Sequence, residues 1–456
     1  MTLFDASDSR PIHFMGIAGA GMSALALIAR RRGVAVSGCD PDPSGAADLV
    51  AMGVQVWQGH DPKHLAGVRA VVATAAIPPD QPEVLRAREL GIPVIPRKEA
   101  LAELVSVGRT VGIAGTHGKS TTTVMTTEAL AAAGLDPTGL AGGRVNGWGG
   151  NARPGADRIF VVESDEYDKA FLALTPSIAV VNNVEADHLE CYGSLEALED
   201  AFAIFADRAE RVLVGADDAG AQRLAARLGK KAWRFGLVES DIHITNISQS
   251  AAGSQADVRL ADGRQVRLRL RVPGIHNLRN ATAALGVVAA LDAPLAPALQ
   301  ALAEYQGLGR RFERLGEVNG VEIIDDYAHH PTELVATLAA ARQAFPGRRL
   351  VAVFQPHLYS RTAEHGGAMG LALAAADLVV VSDVYGAREK AVPGITGALV
   401  AAAASRAGAE TVYEPSRGQL TGRVQELIRP GDVLITMGAG DITKVGRELT
   451  QCSPTA

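Results

Sequence analysis

Residues 111–123, VGIAGTHGKSTTT, decide the fold of the middle of the chain. An apolar run leads into glycine-rich residues, and a segment compatible with a helix, 121–133, follows. Strand, loop and helix in this order predict a phosphate-binding P-loop, because glycines let backbone N–H groups turn toward one anion and the helix N-terminus adds positive charge there. The spacing departs from the usual motif, since Ile113 stands where the first glycine belongs and Gly112 and Gly115 stand on either side of it.

The residues of this loop are candidates for binding a nucleotide and its metal ion. They are Gly115, Thr116, His117, Gly118, Lys119, Ser120 and Thr121. We expect Lys119 to be exposed, to reach the outer phosphates and to be catalytic, and we expect the Ser120 hydroxyl to bind Mg2+. The alternative is a glycine-rich turn that carries an ordinary solvated lysine, but Gly-Lys-Ser between a strand and a helix is a specific signal.

Length and composition indicate a globular protein of several domains. The 456 residues correspond to about three domains, and 21% charged with 47% hydrophobic residues is an ordinary balance. A net charge of -6 without a basic block argues against nucleic acid as a partner. Cys39, Cys191 and Cys452 lie far apart, which predicts a reducing compartment and neither a disulfide framework nor a zinc site.

The first residues carry acidic side chains and lack the apolar segment of a signal peptide. No apolar run in the chain reaches the length that crosses a membrane. We therefore expect a cytoplasmic protein without membrane insertion, whose partners are small-molecule substrates.

A β-α-β unit with a glycine turn opens the chain, with strands over 11–15 and 34–37 and a helix over 23–32. An acidic residue about 20 positions beyond the turn is where a Rossmann unit contacts a ribose hydroxyl. The order G-x-x-G-x-G differs from the dinucleotide fingerprint, so the turn favours a nucleotide diphosphate without establishing nicotinamide chemistry; a plain tight turn is the alternative. The candidate binding residues are Gly16, Gly19, Gly21, Met22 and Asp40.

Polar residues follow two apolar strands beyond the P-loop. Four carboxylates lie within 163–168, after a strand over 159–162, and His188 follows a strand over 178–181. At the carboxyl ends of parallel strands beside a P-loop, such acids are suited to hold Mg2+. His188 then has a metal or phosphate role, or a structural one. The glycine-rich stretch 141–155 is either a flexible loop or a substrate contact.

The remainder of the chain alternates again between strands and helices. Residues 242–272 predict a β-rich segment, and a helix over 274–284 puts His276 and Asn280 on one face, as a cap or a nucleotide-base contact. After a linker at 305–314, three polar loops at strand ends are candidates for ligand contact, because carboxyl ends of strands face the crevice in open α/β sheets. These loops are 325–331, 355–361 and 383–390.

Eight motifs occur in order between residues 115 and 397 and together resemble the Mur ligase family. They are GTHGKS, ESDEYD, NNVEADH, GIHNLRNA, GRRFE, DDYAHHPTE, FQPHLYSRT and AREKAVPGITG. The resemblance runs from Ile12 to about Asp441. The resemblance implies an α/β fold of three domains: a Rossmann-like UDP-binding domain at 1–107, a P-loop ATPase domain with a parallel sheet and a small β-rich part at 108–308, and a Rossmann-like amino-acid-binding domain at 309–456.

The activity that the resemblance implies is a ligation that uses ATP and Mg2+. L-alanine is joined to the lactyl carboxylate of UDP-N-acetylmuramate through an acyl phosphate, in peptidoglycan synthesis. One rival is a recycling ligase that adds a whole tripeptide to the same nucleotide, although DDYAHHP and AREKAVPGITG favour alanine. A remote alternative is a nicotinamide-dependent oxidoreductase, whose reaction would not use the P-loop.

Matching the motifs residue by residue extends the candidate site. The resemblance implies metal contacts for Ser120, Glu163 and His188, adenine contacts for His276 and Asn280, phosphate and ribose contacts for Arg311 and Asp326, and an amino-acid and acyl-phosphate end at Tyr327, His329, His357 and Arg361. Ser120 replaces the more usual threonine and keeps the hydroxyl. No lysine occurs between Leu189 and Gly229, so the carbamylated lysine of other branches is absent, as is typical of the alanine-adding branch.

Three residues of the last set have more specific expected roles. His329 or His357 is the candidate base that deprotonates the amino acid, because histidine titrates near neutral pH. Arg361, four positions after His357, is suited to a bidentate grip on a carboxylate. Its alternative role is an ion pair with Glu364 that supports the helix.

Overall fold

Three mainly parallel β-sheets follow one another along the chain in a computed structural model that describes residues 2–250, 252–387 and 389–451. Helices connect most of the strands, as parallel pairing requires. The predicted α/β fold with three sheet-forming regions is confirmed. Cys452 and Arg388, the latter in the third polar loop, lie outside the described residues.

The first sheet has five parallel strands in the order β3-β2-β1-β4-β5. Its strands are β1 Ile12–Met15, β2 Val36–Asp40, β3 Gln55–Gln58, β4 Ala70–Ala73 and β5 Val94–Pro96, and its helices are α1 Ala20–Arg31, α2 Ala47–Ala51, α3 Pro82–Glu89 and α4 Arg97–Val105. The edge strand β3 was not predicted, because its polar ends and half-exposed middle lack an apolar run.

The second sheet has ten strands in the order β15-β14-β13-β12-β11-β10-β6-β9-β7-β8. Its strands are β6 Arg109–Ala114, β7 Thr138–Val145, β8 Gly150–Arg153, β9 Ile159–Glu163, β10 Ile178–Val181, β11 Arg211–Gly215, β12 Ala232–Gly236, β13 Ile242–Ser250, β14 Gly253–Arg259 and β15 Gln265–Leu270. The helices are α5 Lys119–Ala132, α6 Leu189–Tyr192, α7 Leu195–Asp207, α8 Ala219–Leu228, α9 Ile275–Ala290 and α10 Leu295–Glu304. The glycine-rich stretch 141–155, for which we weighed a flexible loop, contains the end of β7 and all of β8, which pair antiparallel.

The third sheet has six strands in the order β16-β17-β21-β18-β19-β20, parallel except for the edge strand β16. Its strands are β16 Glu313–Val318, β17 Val321–Asp326, β18 Leu350–Phe354, β19 Leu378–Val381, β20 Glu410–Tyr413 and β21 Val433–Met437. The helices are α11 Pro331–Ala344, α12 Tyr359–Leu373, α13 Gly397–Arg406, α14 Arg417–Leu427 and α15 Thr443–Gln451. The central strands are fully buried, which is why they read as continuous apolar runs.

The chain forms two compact units. One comprises residues 1–247, 256–269 and 279–305 and carries the first sheet and most of the second; the other comprises 248–255, 270–278 and 306–456 and carries the third sheet. Within the described residues, no helix combines the length and the apolar character that a bilayer crossing requires.

Candidate active site

The P-loop lies where the sheet order brings three strand ends together. Strand β6 pairs in parallel with β10 on one side and β9 on the other, so their carboxyl ends share one edge. Gly118, at φ 78°, precedes the first residue of α5. A Cβ at Gly118 would lie 2.7 Å from Oδ1 of Asn280, and one at Gly115, at φ 127°, would lie 2.9 Å from the backbone nitrogen of Asn182. Both positions therefore require glycine.

Two asparagines that follow β10 hold the loop in shape. Asn183 Oδ1 accepts a hydrogen bond from the His117 backbone N–H at 2.7 Å, and the His117 carbonyl accepts from the amide groups of Asn182 and Asn183 at 3.2 and 3.3 Å. Both asparagines belong to the motif NNVEADH, but the sequence alone assigned neither of them a role. The available signal was their position after a strand that neighbours β6.

Lys119 is not exposed as expected. Its side chain is 13% exposed, and Nζ donates to both carboxylate oxygens of Glu166 at 2.8 and 2.7 Å. Burial by itself lowers the pKa of Lys119, but the charges of Glu166, Asp165 and Glu163 and the hydrogen bond to Glu166 together outweigh burial and raise that pKa above its usual value. Lys119 is therefore a cation held by a buried carboxylate at the start of α5.

Ser120, the residue after Lys119, faces Glu163. Ser120 Oγ donates to Glu163 Oε1 at 3.0 Å, and the Gly142 backbone N–H donates to the other oxygen of Glu163. Burial raises the pKa of Glu163, while the Gly142 N–H and Lys119 oppose that shift. A hydroxyl and a carboxylate are hard oxygen donors, so this pair fits Mg2+. The glycine-rich stretch thus contacts the candidate metal position through a strand residue.

His188 lies near these acids but makes its own contacts. It has φ 55°, its Nε2 lies 3.8 Å from Oδ2 of Asp187, and its ring meets the edge of Tyr167 at 5.1 Å. Burial raises the pKa of Glu166, and the charges of Lys119 and His188 oppose that shift, so His188 lies in the electrostatic environment of Lys119. The described hydrogen bonds of His188 do not include Ser120 or Glu163, so its metal role stays a prediction.

The first glycine turn and Asp40 meet in the folded chain. Asp40 accepts hydrogen bonds from the backbone N–H groups of Ala18 at 3.1 Å and Asp42 at 3.0 Å. Gly16 has φ 80°, and Gly19 directly precedes α1. Two further candidates are less accessible, since Gly21 packs on Arg97 and the Met22 side chain is buried in the core.

The helix α9 carries both predicted adenine contacts. His276 and Asn280 lie one turn apart in it, in agreement with the predicted helix. Asn280 is 7% exposed, and its Oδ1 lies against Gly118 of the P-loop. His276 belongs to the second compact unit, where its ring lies against Gly274.

The second unit gathers the residues predicted for the amino-acid end. The rings of Tyr327 and His329 meet at 5.3 Å, those of His329 and His357 at 6.2 Å, and His357 stacks on Tyr385 at 5.9 Å. Arg361 is 6% exposed, and its guanidinium lies 3.3 Å from His357 Nδ1. The helix α12 begins at Tyr359, so His357 reaches Arg361 from the preceding turn and not from the same helix.

Asp326 is buried in the same unit. Its carboxylate accepts backbone hydrogen bonds from Phe312 and Ala328, each at 2.7 Å. Burial raises the pKa of Asp326 to about 6, although the positive charge of Arg311 opposes the shift. The guanidinium of Arg311 lies over the ring of Tyr327, the residue after Asp326, at 5.1 Å. Arg311 and Asp326, the residues predicted to contact phosphate and ribose, are therefore close together.

The raised pKa of Asp326 predicts a pH-dependent stability. The folded protein penalises the charged form, so the stability that this residue contributes falls as pH rises from about 4 through about 6. The Tm of the parent minus the Tm of Asp326→Asn should therefore be larger at pH 5 than at pH 7.5. Thermal denaturation of both proteins at the two pH values measures this difference. A difference that does not vary between these pH values would contradict the prediction.

Asp377 offers a matched control. Burial by itself raises the pKa of Asp377, but the hydrogen bonds from Arg342 and Leu350 and the charges of Arg342 and Arg349 together outweigh burial and lower that pKa. Asp377 is thus ionised at both pH values, and the Tm difference between the parent and Asp377→Asn should stay constant between pH 5 and 7.5.

In the close-packed P-loop, the lysine and the hydroxyl begin helix α5, and the neighbouring carboxylates lie at the end of a parallel strand. With two further α/β regions in the chain, this arrangement defines a multidomain P-loop protein of the nucleotide-dependent class. The chain belongs to the Mur ligase family. Residues 11–109 match the model described as Mur ligase family, catalytic domain; residues 113–288 match the Mur ligase middle domain; and residues 310–440 match the Mur ligase, glutamate ligase domain.

Individual relatives cover nearly the whole chain. It is 45% identical over 436 residues to the UDP-N-acetylmuramate–L-alanine ligase of Acidothermus cellulolyticus, covering 94% of this chain and 91% of the relative. The crystal structure of a UDP-N-acetylmuramate–alanine ligase from Thermotoga maritima matches with TM-score 0.84 and 30% identity, over 97% of this chain and 98% of that one. A murein peptide ligase from Psychrobacter arcticus matches with TM-score 0.73 and 25% identity, over 98% and 99% of the two chains.

Proposed function

We propose that the protein uses ATP to join L-alanine to the lactyl carboxylate of UDP-N-acetylmuramate, in peptidoglycan synthesis. The observation that carries this proposal is the P-loop with Lys119, Ser120 and Glu163 in a chain 45% identical to a ligase of that name. The proposed domains are 1–107 for the UDP moiety, 108–308 for ATP and 309–456 for the amino acid. The reaction takes place in the cytoplasm.

The first step activates a poor electrophile. The lactyl carboxylate oxygen attacks the γ-phosphorus of ATP, ADP leaves, and an acyl phosphate forms. Such a transfer depends on positioning and on neutralising phosphate charge. Lys119 supplies positive charge at the loop, and Arg311 is the proposed further phosphate contact. Ser120 and Glu163 would hold Mg2+, which when bound neutralises charge on the phosphate oxygens.

A bound polyphosphate also changes the environment of Lys119. In the protein alone, Nζ is shared between the two oxygens of Glu166. Phosphate oxygens are stronger competitors because they carry more charge, so Lys119 turns part of its hydrogen bonding toward them on binding. Glu166 then serves to keep Lys119 protonated and oriented while the loop is empty of nucleotide.

The second step needs a base for the alanine ammonium group. The amine then attacks the acyl carbon and phosphate leaves. His329 Nδ1 lies 2.9 Å from the Tyr327 carbonyl, which only accepts, so Nδ1 carries the proton and Nε2 is the basic nitrogen. His357 Nδ1 faces the guanidinium of Arg361, which only donates, so its basic nitrogen is already engaged. These contacts favour His329 as the base and His357 as a residue that positions Arg361.

The decisive experiment measures phosphate release and product mass with UDP-N-acetylmuramate and ATP. L-alanine should give stoichiometric phosphate and a product enlarged by one alanine, whereas glycine and L-serine should react more slowly and the tripeptide least. Faster turnover with the tripeptide would identify the recycling ligase instead. If no amine led to phosphate release, the result would contradict the proposal.

The first glycine turn should bind the uridine nucleotide and not NAD. Calorimetric titration of the full-length chain should give tighter binding of UDP-N-acetylmuramate than of NAD. Asp40→Ala should weaken the former at least about tenfold, because hydrogen bonds to a charged group are worth about 1.5–3 kcal/mol. Asp61→Ala is a control in the same domain, since Asp61 only caps a short turn. Tighter binding of NAD would reverse the assignment.

A further inference from the structure

Four metal-ligating side chains converge in the first domain, and none of them belongs to the P-loop. They are His13 in β1, Cys39 in β2, His64 in the turn at 62–65 and Glu83 in α3. One ligand atom from each lies within 4.8 Å of every other. His13, Cys39 and Glu83 are fully buried, and the His64 side chain is 10% exposed. The proposed ligation uses none of the four.

Three of the six separations between the four ligand atoms lie near the edges of a four-coordinate metal site. His13 Nε2 lies 3.3 Å from Cys39 Sγ and 3.0 Å from Glu83 Oε1, and His64 Nδ1 lies 3.3 Å from the same Glu83 oxygen. Zinc bonds of about 2.0–2.1 Å to nitrogen or oxygen and about 2.3 Å to one sulfur give tetrahedral edges of roughly 3.3–3.6 Å, so the contact between His13 and Glu83 is slightly shorter than an ideal edge. Two histidines, a cysteine and a carboxylate are all ligands that zinc accepts.

Hydrogen bonding accounts for only part of the cluster. The Cys39 thiol donates to Glu83 Oε2 at 3.4 Å, but Glu83 Oε1 and His64 Nδ1 make no well-directed hydrogen bond among the described residues despite their short distances. Leaving a buried carboxylate oxygen unsatisfied costs several kcal/mol or forces the group to become neutral. Atoms that are close but not aimed at one another are what ligands of a common central ion show.

Neighbouring residues orient the ligands as outer contacts of metal sites do. Ser37 Oγ lies 3.0 Å from His13 Nδ1, which turns Nε2 inward. Trp57 stacks on the His64 ring at 4.6 Å with an interplanar angle of 11°. His60 Nδ1 lies 3.1 Å from Cys39 Sγ and can donate to a thiolate. Such second contacts fix ring orientation and ligand charge.

We propose that His13, Cys39, His64 and Glu83 bind one divalent ion of the zinc class as a structural site. The Cys39 thiol loses its proton to solvent on binding, and the ion compensates the two negative ligands. The site ties β1 and β2 to α3 on one face of the sheet. The wide spacing of the cysteines predicted no zinc site. Cysteine spacing could not reveal this cluster, because the four ligands come from four separate elements and only one of them is a cysteine.

The test uses the full-length chain. After purification without chelator and exhaustive dialysis, elemental analysis should find about one zinc per chain, or the zinc-free chain should take up about one equivalent with a rise in Tm. Substituting Co2+ should give a sulfur-to-cobalt charge-transfer band. Cys39→Ser should abolish the band and weaken zinc binding at least about tenfold. Cys191→Ser, the matched control in the second domain, should leave both unchanged.

His64→Asn and Glu83→Gln provide the second line of evidence. Each should weaken zinc binding at least about tenfold while far-ultraviolet circular dichroism stays that of the parent. A parent chain that neither retains nor takes up zinc and shows no cobalt–sulfur band overturns the proposal, and the cluster is then only a hydrogen-bonded one. A band that survives Cys39→Ser but disappears in Cys191→Ser also overturns it.

Discussion

Replacing Lys119 with methionine is expected to lower kcat/KM for ligation by at least about 10²-fold. The methionine keeps most of the side-chain volume but removes the positive charge that we propose acts on the transferred phosphoryl group, and losing one such contact commonly costs that much. Phosphate release with UDP-N-acetylmuramate and L-alanine measures the effect. Lys231→Met is the matched control, because Lys231 is a surface lysine paired with Asp207.

The same substitution should also lower stability, which follows from the burial of the Lys119–Glu166 pair. Glu166 is 1% exposed and would lose its counter-charge. Breaking such a pair costs up to about 3–5 kcal/mol, less where the carboxyl takes up a proton. Combining Lys119→Met with Glu166→Gln removes both charges, so the double variant should recover much of the Tm.

The double variant separates catalysis from folding. We expect it to regain Tm while its kcat/KM stays at least about 10²-fold below the parent. If activity returned together with Tm, Lys119 would act only as a structural counter-ion of Glu166. Turnover of the single variant within about tenfold of the parent would contradict the catalytic role outright.

Replacing Arg361 with lysine is expected to raise the KM for L-alanine by about tenfold or more and to leave the KM for ATP nearly unchanged. Arginine grips a carboxylate through two parallel hydrogen bonds, which lysine cannot reproduce, and such charged hydrogen bonds are worth about 1.5–3 kcal/mol each. The contact between Arg361 and His357 orients the guanidinium beside the ring cluster of His329 and Tyr385. Steady-state kinetics with each substrate varied in turn measures the split.

The alternative role of Arg361, an ion pair with Glu364 that supports α12, predicts a different result. Both KM values would then change equally, or only the Tm would fall. Glu364 contacts His365 at 3.7 Å in the structure, so it has a role on the helix that does not require Arg361. Arg342→Lys, at an exposed position of the same domain, is the control and should leave both KM values unchanged.

Much of the fold could be predicted because local patterns are strong in buried parallel strands. Strand β10 has the predicted ends, and strand β9 extends one residue beyond its predicted end. Both consist of uninterrupted apolar runs, which are the signal of buried parallel strands. Strand β3 and the β7–β8 pair were missed because their signals are polar or glycine-rich, and pairing with neighbours stabilises them.

By itself, the sequence determined the glycine turns, the P-loop and the chemical types of the residues around it. These follow from backbone freedom and local order, which a short stretch of chain carries. Only the tertiary structure decided that Glu166 holds Lys119, that Asn183 shapes the loop, and that Glu83 lies against His13. Contacts of this kind join residues distant in sequence, and they depend on the order of strands in a sheet and the packing of helices on it, which no local pattern specifies.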